Sequence, residues 1–224
     1  MTQRYITALV PIKGASERVP GKNIRSFCGK PLLHYVLNTL QHTEMIDRIV
    51  VNTDADSISA YATTFSKAII HRRPTHLCGH TIPMNSIIAH DLSLLDGTHF
   101  LQTHVTNPLL SSQTVERALE AYFSRPEEND ALFSVVAHQN RFFRHDKTPI
   151  NHDPNILQNT QDLPLVYEEN SCLYIFSREA FMAGNRNRLG QRPLLFVMSK
   201  LESVDIDTEE DFRMAEVAWK TCKG

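Results

Sequence analysis

Short β-branched runs alternate with segments of helical period along almost the whole chain, and this limits the fold more than any other feature of the sequence. Ile6–Ile12 reads as a buried strand. Leu32, Leu33, Val36, Leu37 and Leu40 then share one helical face behind Pro31, a residue suited to a first helical turn. The run 48–53 (RIVVNT) predicts a second strand, with Asp54 placed to cap a helix through Ile58 and Phe65. Strands follow at 67–71, 98–104, 131–137, 172–176 and 194–198, and helices at 84–95, at 114–123 and from Ser177. A last helix starts at Thr208, where Thr-Glu-Glu-Asp has the form of a capping box with Asp in the usual Glu place. Phe212, Ala215 and Trp219 supply its apolar stripe.

This order predicts an α/β fold: a mostly parallel sheet with helices on both faces, formed by one domain spanning residues 1–224. Such sheets bind ligands in the crevice at the carboxyl ends of their strands. The segments to search for chemistry are therefore 13–30, 52–56, 72–82 and 102–110. Residues 139–166 break the alternation. They are polar, contain Pro149, Pro154 and Pro164, and show no sustained period. A stretch this long inside a domain is usually functional, and it reads as an excursion that covers the site or meets a second subunit.

Bulk properties exclude several classes of function. The formal net charge of −2 gives no general attraction to nucleic acid or to an anionic membrane, so phosphate binding has to come from a local cluster of cations. Cys28, Cys78, Cys172 and Cys222 lie far apart, without zinc-ligand spacing, and read as reduced thiols of a cytoplasmic protein. The amino terminus enters its first strand without a long apolar run, and no stretch reaches the length of a spanning helix.

The densest chemistry follows the first strand. Lys13, Gly14, Ser16, Arg18, Gly21, Lys22 and Asn23 form a small, cationic loop. Its glycines let backbone N–H groups approach phosphate, and its cations neutralise the charge. It is not a Walker A loop: six residues separate Gly14 from Gly21-Lys22, and Asn23 stands where a metal-binding Ser or Thr would be. A second feature is Asp205-Ile206-Asp207. Two carboxylates at i and i+2 of an extended segment share one side, while Ile206 turns inward. Oxygen donors of this kind suit Mg²⁺ or Mn²⁺ held jointly with nucleotide phosphates. Capping of the last helix would account for Asp207 but not for Asp205.

Taken in order, these segments resemble the acylneuraminate cytidylyltransferases, the CMP-sialic acid synthetase family. The family's loop pattern, P-A-R-x-x-S-x-x-x-P-G-K-N followed by G-K-P-L, is matched here by Pro11, Ser16, Pro20-Gly21-Lys22-Asn23 and Gly29-Lys30-Pro31-Leu32. Lys13 stands where most members have Arg, which keeps the charge but loses a two-pronged donor. Arg73-Pro74 with Leu77 matches R-P-x-x-L, although His80 occupies a place often held by Asp. The segment from Leu101 to Leu109 is similar to L-Q-P-T-S-P-L with two extra residues, so Gln102 and His104 compete for one place. Glu169-Asn170-Ser171 with Tyr174 resembles E-N-G-x-x-Y-I, and Asn170 and Tyr174, four apart, fall on one face of a regular strand.

The resemblance runs from Pro11 to Asp211. It implies a Rossmann-like domain of the nucleotide-diphospho-sugar transferase type. The implied reaction transfers CMP from CTP to an acidic sugar in surface-polysaccharide synthesis. It assigns CTP to Lys13, Gly14, Ser16, Arg18, Lys22, Asn23 and Arg73, and the sugar to Gln102, His104, Asn170 and Tyr174. Mg²⁺ or Mn²⁺ falls to Asp205 and Asp207, with Lys13, Lys22 and Asp207 as the catalytic set. By analogy the protein is a homodimer that uses the 139–166 excursion, with Arg141, Arg144 and Lys147 lending charge to the sugar. Two rival readings remain: a 3-deoxy-octulosonate cytidylyltransferase, and a non-catalytic CTP-binding regulatory subunit, which the departures at Lys13 and His80 keep open and the presence of both Asp205 and Asp207 opposes.

Overall fold

In the computed structural model, which describes residues 5–16, 18–79 and 81–223, nine strands and six helices are arranged around one large sheet. The strands are β1 (Ile6–Ile12), β2 (Ser26–Phe27), β3 (Lys30–Pro31), β4 (Ile46–Thr53), β5 (Ala68–Arg72), β6 (His99–Thr103), β7 (Ala131–His138), β8 (Val166–Ser177) and β9 (Pro193–Val197). The helices are α1 (Leu32–Gln41), α2 (Asp56–Ala62), α3 (Met84–Leu94), α4 (Ser112–Ser124), α5 (Arg178–Ala183) and α6 (Glu209–Lys223). Strands β2 and β3 form a separate small hairpin.

The main sheet has seven strands in the order β5-β4-β1-β6-β8-β7-β9. Its strands pair in parallel except at β8, which runs antiparallel to both β6 and β7. The expected mostly parallel sheet is therefore present, with one reversed strand inserted. Every residue of β1 is buried, as a central strand covered on both faces requires. Ile6, Ala8, Val10 and Ile12 pack with α1, α2 and α4 on one face. Leu9 points to the other, toward Ile88 and Leu92 of α3 and Phe181 of α5.

The carboxyl edge of β1, β4, β5 and β6 faces the amino-terminal half of β8, because β8 runs the other way. Residues just before the β6-paired part of β8 therefore lie at the same edge as the loops after the parallel strands. Helix α6 lies beside this edge. Phe212 and Ala215 close over Phe27, Leu32 and Tyr35 in a third buried cluster. Its start is built as expected: Thr208 Oγ1 accepts the Asp211 N–H at 3.2 Å, while Asp211 Oδ2 accepts the Asp207 and Thr208 N–H groups at 3.1 and 2.8 Å.

The excursion after β7 is ordered by its own polar contacts. Buried Asn151 donates to the carbonyls of Asn140 and Pro164 and accepts the Phe142 N–H, which closes the segment on itself. All four cysteines are free thiols. Among the described residues, no helix is long and apolar enough to cross a membrane.

The Thr208→Ala variant is expected to lower the unfolding free energy by about 1 kcal/mol at pH 7, as measured by urea denaturation. Asp211 is held below its ordinary pKa of 3.8, first by the Thr208 hydroxyl. A depressed carboxylate stabilises the fold above its unfolded pKa and ceases to do so as pH falls through its folded value. The part of the deficit that comes from the Asp211 carboxylate should therefore shrink below about pH 4; an equal deficit at pH 3 would assign it to the Asp211 N–H bond to Thr208 Oγ1 alone.

Candidate active site

The loop after β1 is fastened at both ends. The Gly14 N–H donates to Asp54 Oδ1 at 2.7 Å, and a Cβ at residue 14 would lie 2.7 Å from that of Ala55. Only glycine allows this approach. The same contact corrects the expectation for Asp54. Ala55 is the N-cap of α2 and the helix has no side-chain cap, so Asp54 anchors the loop instead. At the other end Gly21 turns the chain at φ +64. Asn23 Nδ2 donates to the Lys13 carbonyl at 2.8 Å, tying the end of the loop to its start. Between them Val19 is fully buried against the cluster of Phe27, Ile206 and Phe212.

That cluster brings the two carboxylates to the loop. Ile206 is fully buried, so Asp205 and Asp207 on either side of it both face outward into one cleft. The Ile206 N–H donates to the Thr106 carbonyl at 2.9 Å, and Asn107 Nδ2 to the Val204 carbonyl at 3.2 Å, which fixes the segment against the end of β6. Lys22, only 8% exposed, donates to the Ile206 carbonyl and lies 3.5 Å from Asp207 Oδ1. Arg18 pairs with the same carboxylate oxygen at 2.7 Å. Asp207 does not cap α6, since that work falls to Thr208 and Asp211.

The cleft, about 420 Å³ in volume, is lined by Lys13, Ser16, Arg18, Lys22, Asn23, Arg73, His104, Asp205 and Asp207. Gly14, expected to meet the nucleotide, is not part of this lining and holds the loop through Asp54. Arg73 is almost sealed from solvent. Its Nε donates to Asn52 Oδ1 at 2.7 Å and Nη2 to the Asn52 carbonyl at 2.8 Å, so the guanidinium is fixed in orientation where it meets the cleft. Burial lowers its pKa against the pull of Asp54. His104 is pushed down from 6.5 to about 4, chiefly by burial and then by the charges of Arg188 and Lys22. It stands in the cleft as a neutral imidazole at pH 7. Burial and the neighbouring Asp207 raise Asp205, opposed by a hydrogen bond to Thr106. His80 lies outside the described residues.

On the sugar side, the expectations for Gln102 and Tyr174 need correction, whereas Asn170 keeps an open position. Gln102 is fully buried and does not reach the cleft; it lies behind His104, with which it shares a 3.1 Å hydrogen bond. Tyr174 is also fully buried, packed with Leu9, Phe100 and Phe176, and its hydroxyl donates to Glu169. Asn170 lines a neighbouring cavity that shares Ser171 and Asp205 with the cleft. Its amide is held by Ser134 Oγ at 2.6 Å and Ser203 Oγ at 2.8 Å.

The shared face predicted for Asn170 and Tyr174 is lost to a bulge. Phe133 pairs with Tyr174, but Val135 pairs with Glu169, and Ser171 adopts φ +57. Sequence reasoning missed Arg188 altogether. It lies 3.6 Å over the Tyr174 ring and donates to Gln102 Oε1. Nothing local separates it from Arg186 and Arg192 in the same loop. The signal was indirect: a buried Gln needs partners.

In donor chemistry, Asp205 and Asp207 suit a hard divalent cation. The charge of Asp207 adds to the cost of ionising Asp205, and a cation between them would relieve it. Among the described residues no group of three His, Cys, Asp or Glu side chains could hold a metal by itself. The pair therefore matches an ion that completes its shell with water and substrate oxygens, as Mg²⁺ commonly does.

The profile of the cytidylyltransferase family matches residues 7–220. A flagellin modification protein B of Campylobacter coli is 24% identical, over 94% of this chain and 93% of its own. A pseudaminic acid cytidylyltransferase of Campylobacter jejuni is 22% identical, over 95% of both. An N-acylneuraminate cytidylyltransferase of Streptococcus agalactiae is 23% identical over 91% of this chain, which spans about half (51%) of that longer relative. Among solved structures, a CMP:2-keto-3-deoxy-manno-octonic acid synthetase complexed with CTP superposes with a TM-score of 0.70 at 14% identity, covering 97% of this chain and 99% of its own. A 4-diphosphocytidyl-2C-methyl-D-erythritol synthase of Anaerococcus prevotii gives 0.68 at 15% identity, covering 97% of each chain. At these identities the two structures establish the nucleotidyltransferase fold. With the profile spanning nearly the whole chain, the protein belongs to the cytidylyltransferase family and is a nucleotidyltransferase.

Proposed function

We propose that the protein transfers CMP from CTP to the anomeric hydroxyl of a nonulosonic, sialic-acid-like sugar and releases pyrophosphate. The observation that carries this reading is the convergence of the loop cations and both aspartates on one cleft, joined through Lys22. Relatives named for pseudaminic acid and N-acylneuraminate support an acidic sugar as acceptor. Lys13, Arg18 and Lys22 hold the triphosphate and offset charge on the departing pyrophosphate. Gly14, Ser16 and Asn23 shape the loop that cradles it, and Arg73 holds the nucleotide from the β5 side. Asp205 and Asp207 hold Mg²⁺ or Mn²⁺, which when bound neutralises phosphate charge.

The sugar lies toward His104 and Ser171 and extends into the neighbouring cavity where Asn170 stands. In the reaction the sugar oxygen bonds to the α-phosphorus as the bond from that phosphorus to the bridging oxygen of the departing pyrophosphate breaks, and the hydroxyl proton passes to solvent. His104, with a pKa of about 4, is too weak a base to be assigned the hydroxyl proton.

The same reading makes the protein a cytoplasmic homodimer joined through the 139–166 excursion. No residue of this segment lines the cleft, which disfavours a lid. It carries exposed apolar side chains at Phe143, Ile150 and Ile156, and Leu157 is 93% exposed.

Pyrophosphate release should be measured with CTP, Mg²⁺ and, in turn, N-acetylneuraminate, pseudaminic acid and 3-deoxy-octulosonate. Turnover with one of the first two is expected. Turnover with 3-deoxy-octulosonate alone would select that branch, and CTP binding without release from any acceptor would select a regulatory subunit. The Asp207→Asn variant is expected to lose roughly 100-fold or more in turnover with an unchanged circular dichroism spectrum; near wild-type turnover would remove the metal assignment. Lys22→Met, which keeps side-chain bulk, should weaken CTP binding about tenfold in calorimetric titration. An unchanged titration would detach the loop from the nucleotide.

A further inference from the structure

The geometry points to Arg188 as a positioning residue that, through Gln102, fixes the tautomer of His104 and so makes it a hydrogen-bond donor to the acceptor sugar. This rests on the cytidylyltransferase reading for the identity of the ligand, but not for the proton's location.

The argument follows from donor and acceptor inventories. A guanidinium can only donate. Arg188 Nη1 donates to the side-chain oxygen of Gln102, so the Gln102 amide is held with Oε1 toward Arg188 and Nε2 away from it. Arg188 is itself held by stacking 3.6 Å from the centroid of the buried Tyr174 ring. Gln102 Nε2 is left to donate, at 3.1 Å to the Thr103 carbonyl and at 3.1 Å to His104 Nε2. A ring nitrogen that accepts carries no proton, so the proton of the neutral ring sits on Nδ1.

Burial and the charge of Arg188 also keep the imidazole from ionising, which leaves Nε2 free to accept. Among the described residues Nδ1 has no hydrogen-bond partner, and it is not one of the buried polar atoms sealed from solvent. His104 lines the cleft, so its unpaired donor is available to a ligand there. The sheet order identifies which ligand. The loop cations follow β1 and Arg73 follows β5, whereas His104 and Ser171 lie on the β6–β8 side, next to the second cavity. The nucleotide takes the first side and the acceptor the second. An Nδ1–H there recognises a carboxylate, carbonyl or hydroxyl oxygen of the sugar.

The tautomer can be read without turnover, from ¹⁵N shifts and ring couplings of His104 in the protein free of substrate. Nδ1–H is expected in the wild type; Nε2–H would overturn the proposal whatever the enzyme's substrate. In Gln102→Glu, Arg188 keeps an acceptor, but the carboxylate has no proton to give His104. The ring proton is then expected to move to Nε2, and a ring that stays Nδ1–H would also overturn the proposal. In Arg188→Met the amide is released, and a mixture of tautomers is expected, with partial restoration in Arg188→Lys. Gln102→Glu and Arg188→Met should each raise the sugar KM about tenfold while changing the CTP KM less than twofold. A matching rise for both substrates would mark Arg188 as merely structural. Absence of turnover by the wild type with every acidic sugar, together with the Nδ1–H tautomer, would reject the assigned acceptor and leave the positioning intact.

Discussion

A buried ammonium holds the two halves of the cleft together. Lys22 reaches from the β1 loop to the Ile206 carbonyl and toward Asp207, across 184 and 185 residues of sequence. An ammonium at 8% exposure is tolerated only with partners of this kind. The apolar cluster beneath it makes the meeting geometrically fixed. Val19 from the loop and Ile206 from between the aspartates are both fully buried beside Phe27 and Phe212. Non-directional burial brings the chain segments together, and the directional bond sets which faces meet. Arg25 adds to both, pairing with Glu209 at 2.5 Å while its guanidinium lies 4.3 Å from the Phe212 ring centroid.

Much of the sheet was legible because its signal is local. Ile6–Ile12 carries a continuous apolar run, and a strand covered on both faces demands one. The loop after it could be assigned to the carboxyl edge from topology, and Asp205 and Asp207 to one side of an extended segment from period 2 alone. Period 2 failed at β8, where the additional residues between the pairs at Tyr174 and Glu169 shift the alternation. Ser171 at φ +57 is the local mark of that bulge, and serine does not announce a positive φ as glycine does. Asp54 failed for a different reason. A cap and a loop anchor use the same carboxylate chemistry, and only the tertiary approach of Gly14 decides between them.

The buried polar groups at the back of the cleft form two separate supports. Arg73 is oriented by Asn52, whose Nδ2 donates to fully buried Asp91 at 2.7 Å, and His71 meets the same Asp91 oxygen at 2.8 Å. His104 is backed in turn by Gln102 and Arg188. In each case a side chain that lines the cleft is directed by an amide whose orientation is fixed by the groups behind it. Amides suit this role because one end donates and the other accepts, so reversing either would break at least two bonds. Preorganisation of this sort lets a site present donors without reorganising as charge develops.

The front of the cleft is built on the opposite principle. The Arg18–Asp207 pair is short at 2.7 Å, but its side chains are 65% and 41% exposed. Exposed pairs contribute about 0–1 kcal/mol, because solvent screens them and two flexible side chains must be ordered. Such a pair opens at little cost. In the proposed reaction Arg18 would be free to turn to phosphate oxygens and Asp207 to hold a divalent ion, so that neither charge need be left unpaired. Lys22 cannot make this exchange freely, since its bond to the Ile206 carbonyl is buried. The cleft thus combines one cation fixed by packing with another held by a pair weak enough to be replaced. A nucleotide can therefore bind there without dismantling the contact that keeps the aspartates in place.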